Sequence, residues 1–354
     1  MPTAINYNQL QSGLITTKVR IRKPAELYTF AQDVLFGNPS KFTNQDYLDV
    51  STELDNIGIS HEAVKGLDPN RVNYGVEFNT KLIGSKYFND VDSVDINNLE
   101  NRLGEEPIEA PWPYARRALE LTAIKRDALD QAQMLGRELT CWECVLNGKF
   151  TTRQHGEFVY PMSNEMLNIS GANLIADPMK TITEAALILM KKKVRLKRII
   201  LNYNDGALIC GSEKWLKLLD NKKVDAGLVS PQPVMSNGLD KIGTIQIPVY
   251  GLIDIYIYTG TYVSKNANGT YESGDFLPQG KALLLPDRPI GCKGFTGIFI
   301  REGDRQGKVA IEKYSYVYPE YKGVLVTTKI QQQTTIAPIL EGIDHYGVMT
   351  GITG

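Results

Sequence analysis

One segment limits the possible folds of this chain most strongly, the apolar pattern between Pro113 and Gly148. Apolar residues recur there every three or four positions, which predicts one helix with a continuous buried face. The members of this face are Leu121, Ile124, Ala128, Ala132, Leu135, Leu139, Trp142 and Leu146. Proline is tolerated at a helix start and Asn147-Gly148 favours a stop, so the predicted helix covers 113–148. Its length of about 50 Å is typical of a strut on which a sheet or another chain lies.

Composition excludes several classes of protein. The chain has 354 residues, 42% of them hydrophobic, and a net charge of -1, which is ordinary for a folded protein of two or three units. No apolar run is long enough to cross a bilayer, and the start of the chain lacks a secretory signal pattern, so we expect cytosol-like surroundings and no membrane. Four cysteines and three histidines predict neither a disulfide framework nor a metal site, and no cofactor is expected.

The first 42 residues are polar and interrupted by glycine and proline. A short helix is predicted over 24–36, but the segment is too poor in apolar residues to form its own core, so it should lie on another surface. Its basic cluster contains Lys18, Arg20, Arg22 and Lys23. This cluster is either a solvated face or a positive arm that meets an acidic segment of a neighbouring copy, where complementary charge would fix the register.

The acidic segment of the chain follows, from about 43 to 110, where aspartate and glutamate greatly outnumber lysine and arginine. Its middle, 56–89, reads as short extended pieces joined by glycine and asparagine turns, without a wide apolar stripe. An extended two-stranded arm satisfies this pattern. Because a free-standing hairpin is only marginally stable in water, such an arm implies a partner surface.

The remainder of the chain alternates helical and extended patterns, which predicts a mixed α+β fold. A helix begins near Asp177 and ends at three lysines, 191–193, whose charges are favourable at a helix C-terminus. A second helix is predicted around 212–219. The predicted strands cover 194–201, 245–250, 252–259, 282–285, 311–318 and 322–331.

Possible reactive motifs are weak. Cys141 and Cys144 form a C-x-x-C pair, but redox pairs of this kind use the N-terminus of a helix, and these residues fall at the end of the predicted one. We interpret them as small apolar fillers beside Trp142. The H-E-x-x-H pattern at His61 lacks its second histidine, and the phosphate-loop-like run 274–281 has the wrong glycine spacing.

The order of these parts resembles that of a known family, the lambda-type (HK97-fold) major capsid proteins of tailed bacteriophages. The points of likeness lie at 145–151, at the strand and helix of 198–219, at Phe276 to Pro278 before 282–285, and at 326–328 before Ala337. Each motif is weak alone, whereas their order is quite specific. The likeness covers most of 40–345, and the first 40 residues match poorly.

The resemblance implies a domain plan. Residues 1–42 would be the N-terminal arm and 43–98 the extended loop (E-loop), which lies over a neighbouring subunit. The peripheral (P) domain would comprise 99–160 and 319–335, with the spine helix at 113–148. The axial (A) domain would comprise 161–318 and 336–354.

The function implied is that of a structural shell subunit and not an enzyme. It would self-assemble as hexamers and pentamers into an icosahedral virion head that encloses double-stranded DNA without sequence-specific binding. A portal protein and scaffolding or decoration proteins would be its partners, and assembly would take place in the cytoplasm of the bacterial host. Intersubunit contacts are predicted at Lys18, Arg20, Arg22, Tyr74, Phe78 and Trp142.

Two alternatives remain open from the sequence. An encapsulin-like nanocompartment shell shares the fold, and a docked cargo peptide inside the shell would favour it. A thiol oxidoreductase that uses Cys141 and Cys144 belongs to a different class, and a thiolate formed well below pH 8 would favour it.

Overall fold

The structure is a computed structural model that describes residues 29–37, 41–56, 75–95, 99–100, 112–220, 238–247, 250–265, 268, 270–302, 305–322, 325–342 and 344–352. A π-helical turn is present at Ala31–Leu35. The α-helices of the described residues are α1 Tyr114–Asn147, α2 Asn164–Leu167, α3 Pro178–Lys191, α4 Tyr203–Cys210 and α5 Glu213–Asp220.

The described strands are β1 Lys41–Phe42, β2 Tyr47–Asn56, β3 Gly75–Gly84, β4 Lys86–Val94, β5 Lys149–Thr152, β6 Gly156–Val159, β7 Ile169–Ser170, β8 Arg198–Asn202, β9 Leu239–Ile247, β10 Gly251–Tyr258, β11 Thr261–Lys265, β12 Tyr271–Asp275, β13 Lys281–Leu285, β14 Gly291–Phe295, β15 Ile298–Glu302, β16 Arg305–Val309, β17 Lys313–Lys322, β18 Leu325–Leu340 and β19 Gly347–Thr350. Two larger sheets and four two-stranded sheets result. The predicted α+β class is confirmed.

Helix α1 begins and ends as the sequence predicts. Pro113 precedes it with an extended backbone, and Gly148 follows it with φ of 63°. This left-handed conformation costs glycine little, which explains why the helix stops there.

The apolar face predicted for α1 is wrong in the middle of the helix, from Ile124 to Ala132, whereas Leu121 before it is partly buried as predicted. Ile124 is 45% exposed, and Ala128 and Ala132 are also exposed. Two polar residues that flank this stretch, Thr122 and Gln133, are buried instead. Gln133 Nε2 donates to the carbonyl oxygen of Gln332 at 2.7 Å.

The five-stranded sheet lies beneath this part of α1. Its strand order is β1-β14-β18-β17, and β4 also pairs with β18. β4 runs antiparallel to β18 over its whole length, from Lys86 opposite Ile336 to Val94 opposite Thr328. The predicted extended loop, 43–98, therefore includes one strand that is paired within this sheet.

The six-stranded sheet has the order β7-β19-β13-β8-β10-β9 and is covered on both faces. Ile199 and Leu201 of β8 face a core shared with Ile182 of α3, whereas Ile200 between them faces a second core shared with Trp142 of α1. This alternation follows from the two-residue repeat of a strand. The last turns of α1, around Trp142, thus contact the core beside this sheet, and the earlier part of the helix contacts the five-stranded sheet.

Two predictions for this part of the chain need correction. The strand predicted over 194–201 begins only at Arg198, and the sequence analysis missed α4, which follows it directly. Asn202 accounts for the change, because its side chain accepts a hydrogen bond from the backbone N–H of Asn204 and caps the new helix.

Candidate assembly surfaces

A buried carboxylate joins the N-terminal segment to α1. Glu138 Oε1 accepts hydrogen bonds from the backbone N–H of Ala31 at 2.7 Å and from Trp142 Nε1 at 2.9 Å. Its Oε2 accepts from the backbone N–H of Gln32 at 3.0 Å and from the Gln32 amide at 3.3 Å. Burial raises the pKa of Glu138 to about 7, although these hydrogen bonds oppose the shift. The contact is therefore made by a group whose charge changes near neutral pH.

Aromatic packing completes this attachment. The ring of Phe30 lies 6.0 Å from that of Trp142 and 5.6 Å from that of Tyr258, and the last two lie 5.0 Å apart. Of the helix predicted over 24–36, the structure describes only the part around the π-helical turn, and this part lies on the core of its own chain.

Trp142 was predicted to anchor the long helix and to contact a neighbouring subunit. Its side chain is 1% exposed within the single chain. In this conformation it supports the helix from inside and has no surface available for a second copy.

Strands β2 and β3 form an extended hairpin. They pair antiparallel over ten residues each, from Tyr47 opposite Gly84 to Asn56 opposite Gly75, and belong to neither larger sheet. At about 3.3 Å per residue the paired part is roughly 30 Å long. The sequence predicted such an arm within 56–89, and the structure places its first strand before that range, at 47–56.

The base of this hairpin is attached to the rest of the chain. Leu48 and Ile83, which are opposite each other, are both buried in the main core. Beside them, the ring of Tyr47 lies 4.7 Å from that of His155 in the β5–β6 turn. A Cβ at Gly84 would lie 2.5 Å from the His155 ring, so the close approach requires glycine. The hairpin is thus fixed at one end.

The other predicted contact residues are only partly within the described structure. Phe78 lies in β3 opposite Glu53. Lys18, Arg20, Arg22 and Tyr74 lie outside the described residues. Their roles stay predictions.

The face of the five-stranded sheet that points away from α1 carries a row of tyrosines. Tyr314, Tyr316 and Tyr318 alternate along β17 with ring centroids 5.2 Å and 5.4 Å apart. The Tyr316 hydroxyl donates to Gln331 Oε1 at 2.6 Å, and Gln331 Nε2 donates to Asn89 Oδ1 at 2.6 Å. These bonds join β17, β18 and β4 across the sheet. Tyrosine is enriched in protein interfaces, so this face is a candidate contact surface.

Two further hairpins display apolar side chains. Tyr271 of β12 is 74% exposed, and Phe299 of β15 is 65% exposed. The ammonium of Lys308 lies 4.9 Å from the centre of the Phe299 ring and forms an ion pair with Asp46. The β15–β16 hairpin is therefore connected to the segment that leads into β2.

The C-x-x-C pair is enclosed. Cys141 and Cys144 are free thiols with no exposed surface. Burial raises the pKa of both well above the ordinary value, and Glu138 adds to the effect at Cys141. A thiolate is disfavoured at both, which is the reverse of what thiol–disulfide exchange needs.

Other ligand sites are not evident in the described part of the chain. It contains no group of three or more histidine, cysteine, aspartate or glutamate residues that could hold a metal ion. It also contains no helix with the length and apolar character of a membrane span.

Comparison with solved structures identifies the architecture. The inferred capsid protein of a prophage (E. coli CFT073) superposes with a TM-score of 0.64 at 17% identity, over 98% of this chain and 99% of that one. The chain has the HK97-type capsid fold. The family resemblance drawn from the sequence is confirmed at the level of the fold.

Other solved structures match with lower TM-scores. A protein of Mycobacterium phage Patience has a TM-score of 0.46 at 12% identity, over 98% of this chain and 85% of that one. The SrpI encapsulin of Synechococcus elongatus PCC 7942 has a TM-score of 0.45 at 11% identity, over 97% and 95%. No family model and no curated protein matches the sequence.

Sequence reasoning missed two features of the candidate surfaces. Glu138 has the pattern of a solvent-facing helix residue, and only the position of the π-helical turn reveals it as buried. The alternation of tyrosines in β17 was visible in the sequence, but the face on which they lie depends on the pairing with β18.

Proposed function

We propose that this chain is the major capsid protein of a tailed phage, a structural subunit that self-assembles in many copies into an icosahedral shell around double-stranded DNA. The observation that supports this most is a capsid fold matched along almost the entire chain, together with a hairpin that pairs with neither larger sheet. Hexamers and pentamers, a portal protein, and scaffolding or decoration proteins belong to this proposal. So does assembly in the cytoplasm of the bacterial host, with the virion as final location.

In this proposal, 1–42 is the N-terminal arm and 99–160 with 319–335 is the P domain, with α1 as its spine. The A domain is 161–318 with 336–354. The extended loop, 43–98, contributes the β2–β3 hairpin as its projecting part, while β4 stays in the sheet of its own subunit.

The physical reason for assembly is that neither outer edge of the β2–β3 hairpin pairs with another strand among the described residues. Backbone groups on an open edge can pair with another chain, and a two-stranded hairpin alone is marginally stable. Contact with a neighbouring subunit would cover these groups. The tyrosine face of β17 is our proposed receiving surface, because its aromatic and amide groups can pack against and hydrogen-bond to a strand.

The test is a shortened hairpin. Residues 50–81 are replaced by Asn-Gly, which supports a two-residue turn and keeps Asp49 opposite Leu82. This replacement retains the buried base at Leu48 and Ile83 and also strand β4. A deletion of the entire extended loop, 43–98, would remove both. We expect a soluble subunit with a cooperative unfolding transition that forms no closed particles in sedimentation velocity and electron microscopy.

A second shortened hairpin serves as the control. In β11–β12, replacing 265–271 by Asn-Gly keeps Ser264 opposite Glu272 and removes a shorter projection. We expect this variant to close into shells. Closed shells from the variant that lacks 50–81 would contradict the proposed role of the β2–β3 hairpin.

A further inference from the structure

A dense basic run connects α3 to β8. Six of the eight residues 191–198 are lysine or arginine. Val194 and Leu196 are buried in the core beside α3, so the residues that alternate with them turn to the opposite side. Lys193 and Arg195 are exposed as a result, and Lys197 is half-buried.

These side chains line a cleft. Its volume is about 480 Å³, and Asp287 and Arg288, from the loop after β13, also line it. A guanidinium nitrogen of Arg195 donates to the carbonyl oxygen of Tyr250 at 3.0 Å, which holds this charge at the cleft. Arginine and lysine from two separate loops therefore converge on one space.

The charges in and around this cleft are not balanced. Asp287 pairs with Arg198 at 2.6 Å, and Asp344 pairs with Lys192 at 2.8 Å. Asp254, beside Lys197, is paired with Lys241 at 2.6 Å. Within the described residues, no carboxylate lies within 4 Å of the charged groups that remain, those of Lys191, Lys193, Arg195, Lys197 and Arg288.

Histidine does not offset this excess. Arg288 lies 3.0 Å from His345 Nδ1. Burial and the Arg288 charge lower the pKa of His345, which keeps the ring neutral at pH 7. The guanidinium of Arg288 thus keeps its full charge beside the cleft.

The backbone at Lys193 is also unusual. Its φ is 60°, directly after the C-terminus of α3. Glycine is the usual residue at this position because a side chain in the left-handed region is strained. A lysine here keeps a positive charge at the cleft at a cost in backbone energy.

We propose that this cleft binds the phosphate backbone of double-stranded DNA inside the shell. The inference rests on the proposed function and adds a contact site to it. Duplex DNA presents one negative charge per about 1.7 Å of axis, so several closely spaced cations can be neutralised together. Basic runs of this density are typical of nucleic-acid contact. Contacts to phosphate carry no sequence information, so binding at this cleft would be independent of sequence.

The experiment measures binding of a short duplex by fluorescence anisotropy, with the full-length unassembled chain, between 50 and 200 mM salt. The test variant is Lys193→Gln with Arg195→Gln. The control is Lys180→Gln with Lys217→Gln, which removes two exposed charges from α3 and α5 away from the cleft. The basic residues of the N-terminal arm are present in all three proteins, so their contribution cancels.

We expect the plot of log K against log salt to become shallower by about 2 in the test variant, because two phosphate contacts are lost. At 100 mM salt this corresponds to binding weakened by about 10- to 100-fold, whereas the control variant should bind like wild type. Equal slopes and affinities for all three proteins would overturn the inference.

A loss of shell closure in the test variant, with DNA binding unchanged, would also overturn the inference. That result would indicate that the cleft binds an acidic surface of a second copy. The proposed function fails separately, if the wild-type chain forms no shells at all.

Discussion

The contact between Glu138 and the N-terminal segment allows a quantitative prediction for Glu138→Gln. The wild-type carboxylate accepts hydrogen bonds from both Ala31 and Gln32 backbone N–H groups and from Trp142. Glutamine has nearly the same shape but carries no charge, and its amide nitrogen cannot accept these bonds. The substitution therefore removes the titration of a buried group while keeping its volume.

The magnitude follows from the pKa of Glu138, which is about 7 in the folded chain against an ordinary value of 4.5. A carboxyl whose pKa is raised by folding binds its proton more tightly in the folded state. Its contribution to the free energy of unfolding is complete below pH 4.5 and is lost as the pH rises through 7. The difference of roughly 2.5 pH units corresponds to about 3 kcal/mol.

The assay is urea unfolding of the unassembled subunit at several values between pH 4.5 and 8. We expect the free energy of unfolding of wild type, relative to Glu138→Gln, to decrease by about 3 kcal/mol across this range. Thr140→Val, at a buried position of the same helix, changes no titratable group and is the control, so its curve should remain parallel to that of wild type. Parallel curves for Glu138→Gln and wild type would refute the reasoning.

Three further predictions concern other parts of the chain. In the native protein, a thiol reagent should modify Cys210 quickly and the other three cysteines only on unfolding, because those three are buried; fast reaction at Cys141 or Cys144 would restore the oxidoreductase hypothesis. Lys193→Gly should raise the free energy of unfolding by about 1 kcal/mol, because glycine relieves the strain of the left-handed backbone, and it should also weaken DNA binding. Urea unfolding measures the first effect and fluorescence anisotropy the second. An unchanged free energy of unfolding would contradict the strain at Lys193. Gly136→Ala should lower the free energy of unfolding by about 1 kcal/mol, although alanine has the better helix propensity, because the new Cβ would lie 2.7 Å from the ring of Phe88. A rise in the urea midpoint would contradict this.

How far the sequence predicts this fold depends on whether the signal is local. The bounds of α1 could be predicted because proline, glycine and helical spacing act within a few residues. Which residues of its middle are buried could not be predicted, because Gln133 is buried through a hydrogen bond to a strand about 200 residues away. The spacing of apolar residues within the helix does not predict such a distant partner.

The same distinction applies to the candidate surfaces. The extended hairpin was predictable because weak apolar content and turn residues are local features. The buried position of Glu138 and the site formed by Lys193 with Arg288 depend on loops that meet only after folding. The lysines at 191–193 are explained locally as favourable charges at a helix C-terminus, so their position beside the cleft was not predicted.

The central claim is that the β2–β3 hairpin becomes buried on a second copy of this chain. Electron microscopy of the purified full-length protein tests it most directly, through a three-dimensional reconstruction of the particles. The account predicts closed shells of uniform size in which each hairpin lies against a neighbouring subunit. A population that stays monomeric at high concentration, or shells in which the hairpin contacts only its own subunit, would contradict it.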